Sequence, residues 1–254
     1  MRRLGILSIF MILLSACDVG LGEDGFESFG PDGGVSQGGS LSRFTIIDDY
    51  LYVVNDYSLI PIDIRDLSRP IAHDSIVLDI GIETIFPYGE YLFIGSTSAV
   101  FIYDIQDPLK PQWLSTYQHA TGCDPVVVKD NIAYVTLREG FSCGNPFAIN
   151  VLEVVNVENK RQPYQVNQIG MTNPRGLGVG CNNKLFVCEG KSGLVQFNIE
   201  NPNDPIRELT YDDRPANDVI VKEGLVIVTG EDGVYQYDCS ADTLELLSFI
   251  PLSL

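Results

Sequence analysis

Five residues recur at corresponding places along the chain: Asp63, Asp104, Asn156, Asn198 and Asp238. Taken as carboxylates, such a set could ligate a metal ion or exchange protons. Two of the five are Asn, however, which keeps the acceptor oxygen and drops the charge. The role common to all five is therefore to accept hydrogen bonds near a strand end, as Asp and Asn do in turns. Other catalytic signatures are scarce. The histidines are His73 and His119, and no HExxH, GxSxG or EF-hand loop occurs. Gly190-Lys191-Ser192 matches the tail of a phosphate loop, but Leu185 stands where that loop needs glycine and a strand pattern follows, so a hairpin loop is expected. No catalytic residue, metal site or cofactor is assigned.

The cysteines carry more. Met1-Arg2-Arg3, the apolar stretch Leu4 to Leu14 and the small residues Ser15-Ala16 have the parts of an export signal, with an apolar segment of 11 residues, too short for a permanent span. Leu14-Ser15-Ala16-Cys17 resembles the lipobox of bacterial lipoproteins. That resemblance implies cleavage after residue 16 and lipidation of Cys17, whose several acyl chains would give stable anchoring. Asp18 to Leu41 holds 8 Gly in 24 residues, five acidic residues and no basic one, and is read as a flexible tether with a reach of roughly 25–30 Å. The expected organisation is a leader over 1–16, a lipidated tether over 17–41 and a folded domain over 42–254. The location is extracytoplasmic, in the cell envelope, with the choice of membrane left open.

Charge removes some partners. The net charge of −18 becomes −20 without Arg2 and Arg3. A nucleic acid is bound by neutralising its phosphates with Lys and Arg, and this surplus of acid would repel it, as it would repel anionic headgroups. Contact with the membrane is expected through Cys17 alone.

The elements that must position any site are short. Apolar runs of four to eight residues alternate with Gly, Asn, Asp and Pro clusters, and no long period-3.6 segment occurs, which is an all-β pattern. The runs YLYVV, YLFIG, IAYVT, KLFVC and LVIVT align on Tyr52, Phe93, Tyr134, Phe186 and Ile227, at spacings of 41, 41, 52 and 41. Pro111 recurs as Pro70, Pro163 and Pro205. Each unit parses as four strands; in the second they are Thr84 to Tyr88, Tyr91 to Gly95, Ala99 to Ile105 and Gln112 to Tyr117. The middle strands are apolar on both faces and need cover on both sides. A single propeller of five four-stranded blades satisfies this, with the ring closed by blade packing and no shared closing blade. The aromatic series is read as packing between blades, and a monomer is expected.

The units NIAYV, GLVQFNIENPNDP and AVFIYDIQDPLKP look like the LVIVD repeat of exported bacterial β-propeller proteins, over essentially all of residues 42–254. The resemblance implies the same fold and supplies no catalytic motif. The fifth unit departs from it in lacking the turn proline, and the third is stretched by 11 residues.

Departures from repetition on one face are where specificity tends to sit. The stretched segment Arg138 to Asn150 contributes Arg138, Glu139 and Phe141 as candidate binding residues. Loops entering the inner strands add Glu83, Asp124, Arg175, Asn217 and Asp218 around the channel mouth. Cys123 and Cys143 fall on this same face, so a Cys123–Cys143 disulfide is expected, worth about 3 kcal/mol in the chain-entropy model. Cys181, Cys188 and Cys239 are unassigned, with at least one free. The expected function is a non-catalytic binding or interaction module for a protein or glycan partner. The alternative is a hydrolase or lyase acting on a sugar or lactone at the channel mouth.

Overall fold

The computed structural model describes residues 39–120, 122, 125–139 and 149–252. These belong to one unit, Gly33–Leu254. Blade 1 comprises β1 (Phe44–Ile47), β2 (Tyr50–Val54), β3 (Ser58–Asp63) and an outer edge split into β4 (Ile71–Ala72) and β5 (Ile76–Val77). Blade 2 comprises β6 (Ile82–Tyr88), β7 (Tyr91–Ser96), β8 (Ala99–Asp104) and β9 (Gln112–Gln118). Blade 3 comprises β10 (Val126–Lys129), β11 (Ile132–Leu137), β12 (Val151–Asn156) and β13 (Tyr164–Gly170). Blade 4 comprises β14 (Leu177–Gly180), β15 (Lys184–Cys188), β16 (Leu194–Asn198) and β17 (Ile206–Tyr211). Blade 5 comprises β18 (Asp218–Lys222), β19 (Leu225–Thr229), β20 (Gly233–Asp238) and β21 (Glu245–Pro251). Among the described residues every sheet is an antiparallel meander of consecutive strands, and none combines strands from the first and last blades. The fold is a five-bladed β-propeller.

Local chemistry writes the same blade repeatedly. The inner hairpins turn on residues of positive φ, such as Asp130-Asn131 and Glu223-Gly224, the conformation a two-residue hairpin turn demands. The outer hairpins of blades 2 to 5 share a register shift at one place, between Ile102/Tyr103, Val154/Val155, Gln196/Phe197 and Gln236/Tyr237. Such bulges increase the local twist that a blade needs. At the end of each third strand the recurring acceptor takes the N–H two residues on: Asp63 from Arg65 (3.0 Å), Asp104 from Gln106 (2.8 Å), Asn156 from Glu158 (3.0 Å), Asn198 from Glu200 (2.8 Å) and Asp238 from Ser240 (2.7 Å). The charge is incidental to this bond, which is why Asn substitutes for Asp. Asp63 adds the Arg65 guanidinium, and that contact holds its carboxyl down at about 2.

Packing between blades follows the aromatic series. Tyr52, Phe93, Tyr134 and Phe186 are buried, each in the apolar cluster between its own blade and the next. Two of them also staple the neighbour: Tyr52 donates its hydroxyl to the Pro108 carbonyl and Tyr134 to that of Pro202, both at 3.0 Å. Burying one such side chain contributes about 1.5–3 kcal/mol. The fifth member, Ile227, faces a different junction. Among the described residues no buried apolar cluster joins blade 5 to blade 1, and Ile220, Leu225 and Ile227 on one side and Leu51, Val53 and Ile60 on the other stay half-buried. Closure by blade packing alone is thus weaker than the repeat implied.

A polar clasp lies near that junction. Gly39 and Ser40, upstream of the expected domain start, are buried. Ser40 Oγ accepts the Leu177 N–H of blade 4 at 2.7 Å and donates to Asp218 of blade 5 at 3.3 Å, while the Ser42 carbonyl accepts the Ile85 N–H of blade 2 at 2.9 Å. The entry segment therefore crosses between non-adjacent blades before β1 begins.

A disulfide joins Cys181, in the inner turn of blade 4, to Cys239, just after β20 of blade 5, with Cα atoms 5.8 Å apart. Cys188 is a free, buried thiol. Cys17, Cys123 and Cys143 lie outside the described residues, and with them the expected lipidation and the expected disulfide of the third blade. The histidines fall beside outer strands: His73 follows β4 and His119 follows β9.

Candidate functional site

The propeller's upper face gathers the loops that enter the inner strands and the turns between second and third strands. Backbone hydrogen bonds hold these loops across blades. Gly190 and Ala216 exchange N–H to carbonyl bonds at 2.8 Å each, Gly176 N–H donates to the Asn217 carbonyl at 3.1 Å, and Thr136 Oγ1 donates to the Arg175 carbonyl at 2.7 Å. Gly190-Lys191-Ser192 sits in the hairpin loop joining β15 to β16, where Gly190 (φ 59°) and Gly193 (φ 89°) take the left-handed conformations. The phosphate-loop resemblance thus has no structural counterpart.

Between these loops lies a cavity of about 100 Å³ lined by Leu41, Pro125, Arg138, Pro174, Arg175 and Asn217. Arg138 follows β11, the second strand of blade 3, Arg175 precedes β14, and Asn217 precedes β18, so three consecutive blades contribute. Arg175 Nη1 donates to Asn217 Oδ1 at 2.6 Å, while its Nε is buried without an acceptor. Arg138 is held below the usual guanidinium range, first by burial and then by the charge of Arg175, with Glu83 pulling the other way. Among the described residues neither arginine belongs to an ion pair. Elsewhere Arg43 pairs with Asp56 at 2.7 Å, Lys184 with Glu208 at 2.7 Å and Arg207 with Glu189 at 3.8 Å, while Lys129 donates to Asn183 at 2.7 Å and Lys160 to Asn131 at 2.8 Å, each without an ion pair among the described residues.

Asp218 lies beside this cavity, at the start of β18. Gly39 and Gly176 pack against its carboxyl from two sides; a Cβ on either would come within 2.2 Å or 2.1 Å of a carboxyl oxygen. Burial pushes Asp218 up to about 6, against hydrogen bonds from the Val219 N–H, the Ser40 hydroxyl and the Leu41 N–H that favour its charged form. Cys188 lies within reach of the fields of Asp218 and Arg175, and burial pushes its thiol well up, so it is inert.

The structure therefore brings together Arg138, Arg175, Asn217 and Asp218, and sets Glu83 within electrostatic reach of Arg138. Glu139 is placed differently. Its N–H donates to Asn150 Oδ1 at 3.0 Å and its Oε1 accepts from Asn150 Nδ2 at 3.2 Å, a reciprocal pair that closes the base of the stretched loop. Asp124 and Phe141 lie outside the described residues. The reading from sequence missed Leu41 and Ser40, which composition assigned to the tether, and the proline walls Pro125 and Pro174. Among the described residues no group of three or more His, Cys, Asp or Glu is placed to hold a metal ion, and no helix is long and apolar enough to cross a membrane.

Neither a protein-family model nor a curated protein matches the sequence. Solved structures do match in shape. A functionally unknown protein from Desulfotomaculum acetoxidans DSM 771 superposes with a TM-score of 0.65 at 12% identity, over 87% of this chain and 70% of that one. The periplasmic gluconolactonase PpgL of Pseudomonas aeruginosa gives 0.63 at 14% identity, over 80% and 68%. BamB from Moraxella catarrhalis gives 0.52 at 11% identity, over 87% and 74%. These likenesses establish the propeller fold. At such identities they carry no activity over to this chain. The Cys181–Cys239 disulfide is the mark of an oxidising compartment and accords with an extracytoplasmic location.

Proposed function

We propose that the protein is a lipid-anchored, extracytoplasmic binding module that holds its ligand at the channel mouth and performs no chemistry of its own. One observation carries the site: Arg138 and Arg175 from different blades converge on a single cavity without forming an ion pair among the described residues. Two adjacent guanidinium groups cost the fold electrostatic energy, and a ligand that engages them would return it. The lipobox-like Leu14-Ser15-Ala16-Cys17 supports the anchor, and the acidic, Gly-rich segment after it supports a tether that presents the domain away from the bilayer. Cys17→Ser is expected to move the protein from the membrane to the soluble fraction. A variant that stays with the membrane contradicts the anchor.

The binding reading is tested by photocrosslinking in native cells, with a photoreactive residue placed at the mouth or, as a control, at the lower turns. One dominant product from the mouth alone supports a binding module. Many neighbours from both faces alike support a purely structural envelope role.

A second reading rests on Asp218, whose carboxyl at about 6 lies in the range of a general base, and on a neighbour named as a gluconolactonase. It predicts turnover of a sugar lactone that disappears in Asp218→Asn. Absence of turnover in the wild type, with and without Ca²⁺, removes it.

A further inference from the structure

Of the open regions of the molecule, the wide cleft along the blade 4 and blade 5 edge offers a ligand little. Its Lys184, Gln196, Asn198 and Glu208 are bonded to one another at 2.7–3.0 Å. The half-buried faces at the fifth junction show nothing of what covers them. The mouth cavity differs from both, because its polar groups are incompletely used.

Resting on the binding reading above, we infer that the ligand presents a single carboxylate, which docks between Arg138 and Arg175. The chain has 34 acidic and 16 basic residues, so carboxylates to neutralise a guanidinium are abundant. Yet none is ion-paired with either arginine among the described residues, although the charge of Glu83 bears on Arg138, and Arg175 Nε is buried without an acceptor. A guanidinium offers N–H donors in a planar fork that matches the two oxygens of a carboxylate. Phosphate shares that match, but the net charge of −18 penalises a dianion more than a monoanion. The walls also favour an organic acid. Leu41, Pro125 and Pro174 offer apolar contact to the carbon next to the carboxylate, and Asn217 adds an amide whose Oδ1 already fixes Arg175 at 2.6 Å. A cavity of about 100 Å³ has room for the carboxylate and its first carbons, with the remainder of the ligand directed out of the mouth.

The experiment uses the full chain in detergent, with propionate as the monocarboxylate, propionamide as its neutral isostere and inorganic phosphate as the dianion, read by NMR on arginine Nε–H signals. Saturable shifts are expected for propionate, at least tenfold weaker for propionamide and phosphate, and at least tenfold weaker for propionate with Arg138→Met. The lower-turn variant Asp104→Asn should match wild type. Saturable binding of propionamide or phosphate in preference to propionate overturns the carboxylate assignment while leaving the mouth as a binding site. Silence with all three probes also overturns the assignment, and photocrosslinking from the mouth then decides the broader reading independently.

Discussion

The two faces of this propeller treat polar side chains in opposite ways. On the lower face each recurring Asp or Asn is satisfied two residues away in its own turn, at 2.7–3.0 Å, five times over. At the mouth, polar groups come from different blades and are satisfied across them or left short: Asp218 is bonded by Ser40 and Val219, Arg175 by Asn217 through one of its nitrogens. Even their titration diverges. Asp63 is held down at about 2 by Arg65, whereas Asp218 is pushed up to about 6 by burial. A polar group that repeats serves the fold; one that does not, and that costs the fold energy, points to function.

Substitutions on the two faces should therefore behave differently. The largest effect is expected on the lower face, where removing the Cys181–Cys239 bridge with Ser at both positions opens a sequence separation of 58 residues. The loss should be about 4 kcal/mol in the chain-entropy model, measured as a lower urea midpoint. At the mouth the sign reverses. Asp218 binds its proton more tightly folded than unfolded, so wild-type stability should fall as pH rises from the ordinary carboxyl value to about 6, then level off. Asp218→Asn should remove that fall and be more stable above pH 6, by on the order of 1–2 kcal/mol. Unfolding titrations from pH 4 to 8 check this, and a variant that is less stable at pH 8 contradicts it. Smaller again is Asp104→Ala, which should lose about 1 kcal/mol with its turn hydrogen bond, while Asp104→Asn should stay within about 0.5 kcal/mol of wild type.

Much of the lower face was legible in the sequence because its physics is local. The spacing of Tyr52, Phe93, Tyr134 and Phe186 located the blades, and the second blade's strands begin and end within two residues of their expected limits. Interchange of Asp and Asn identified the turn acceptors without coordinates. The mouth was legible only as a list of loops. That Arg138 and Arg175 share one cavity, and that Leu41 helps to wall it, depends on the entry segment crossing between blades 2, 4 and 5, which no repeat encodes. The Cys181–Cys239 pair was missed for a related reason: each cysteine belongs to a lower turn, and only the adjacency of blades 4 and 5 brings them together. The fifth junction also escaped the repeat, since Ile227 continues the aromatic register by position but faces no buried cluster among the described residues.

If the mouth arginines are kept for a ligand and not for the fold, removing one should not destabilise the protein. Urea unfolding of Arg138→Met beside wild type tests it most directly, because burial and Arg175 both disfavour the charge that the substitution removes. An unchanged slope with a midpoint equal to or above that of wild type is the expected result. A midpoint that falls as far as that of Asp104→Ala would contradict the account.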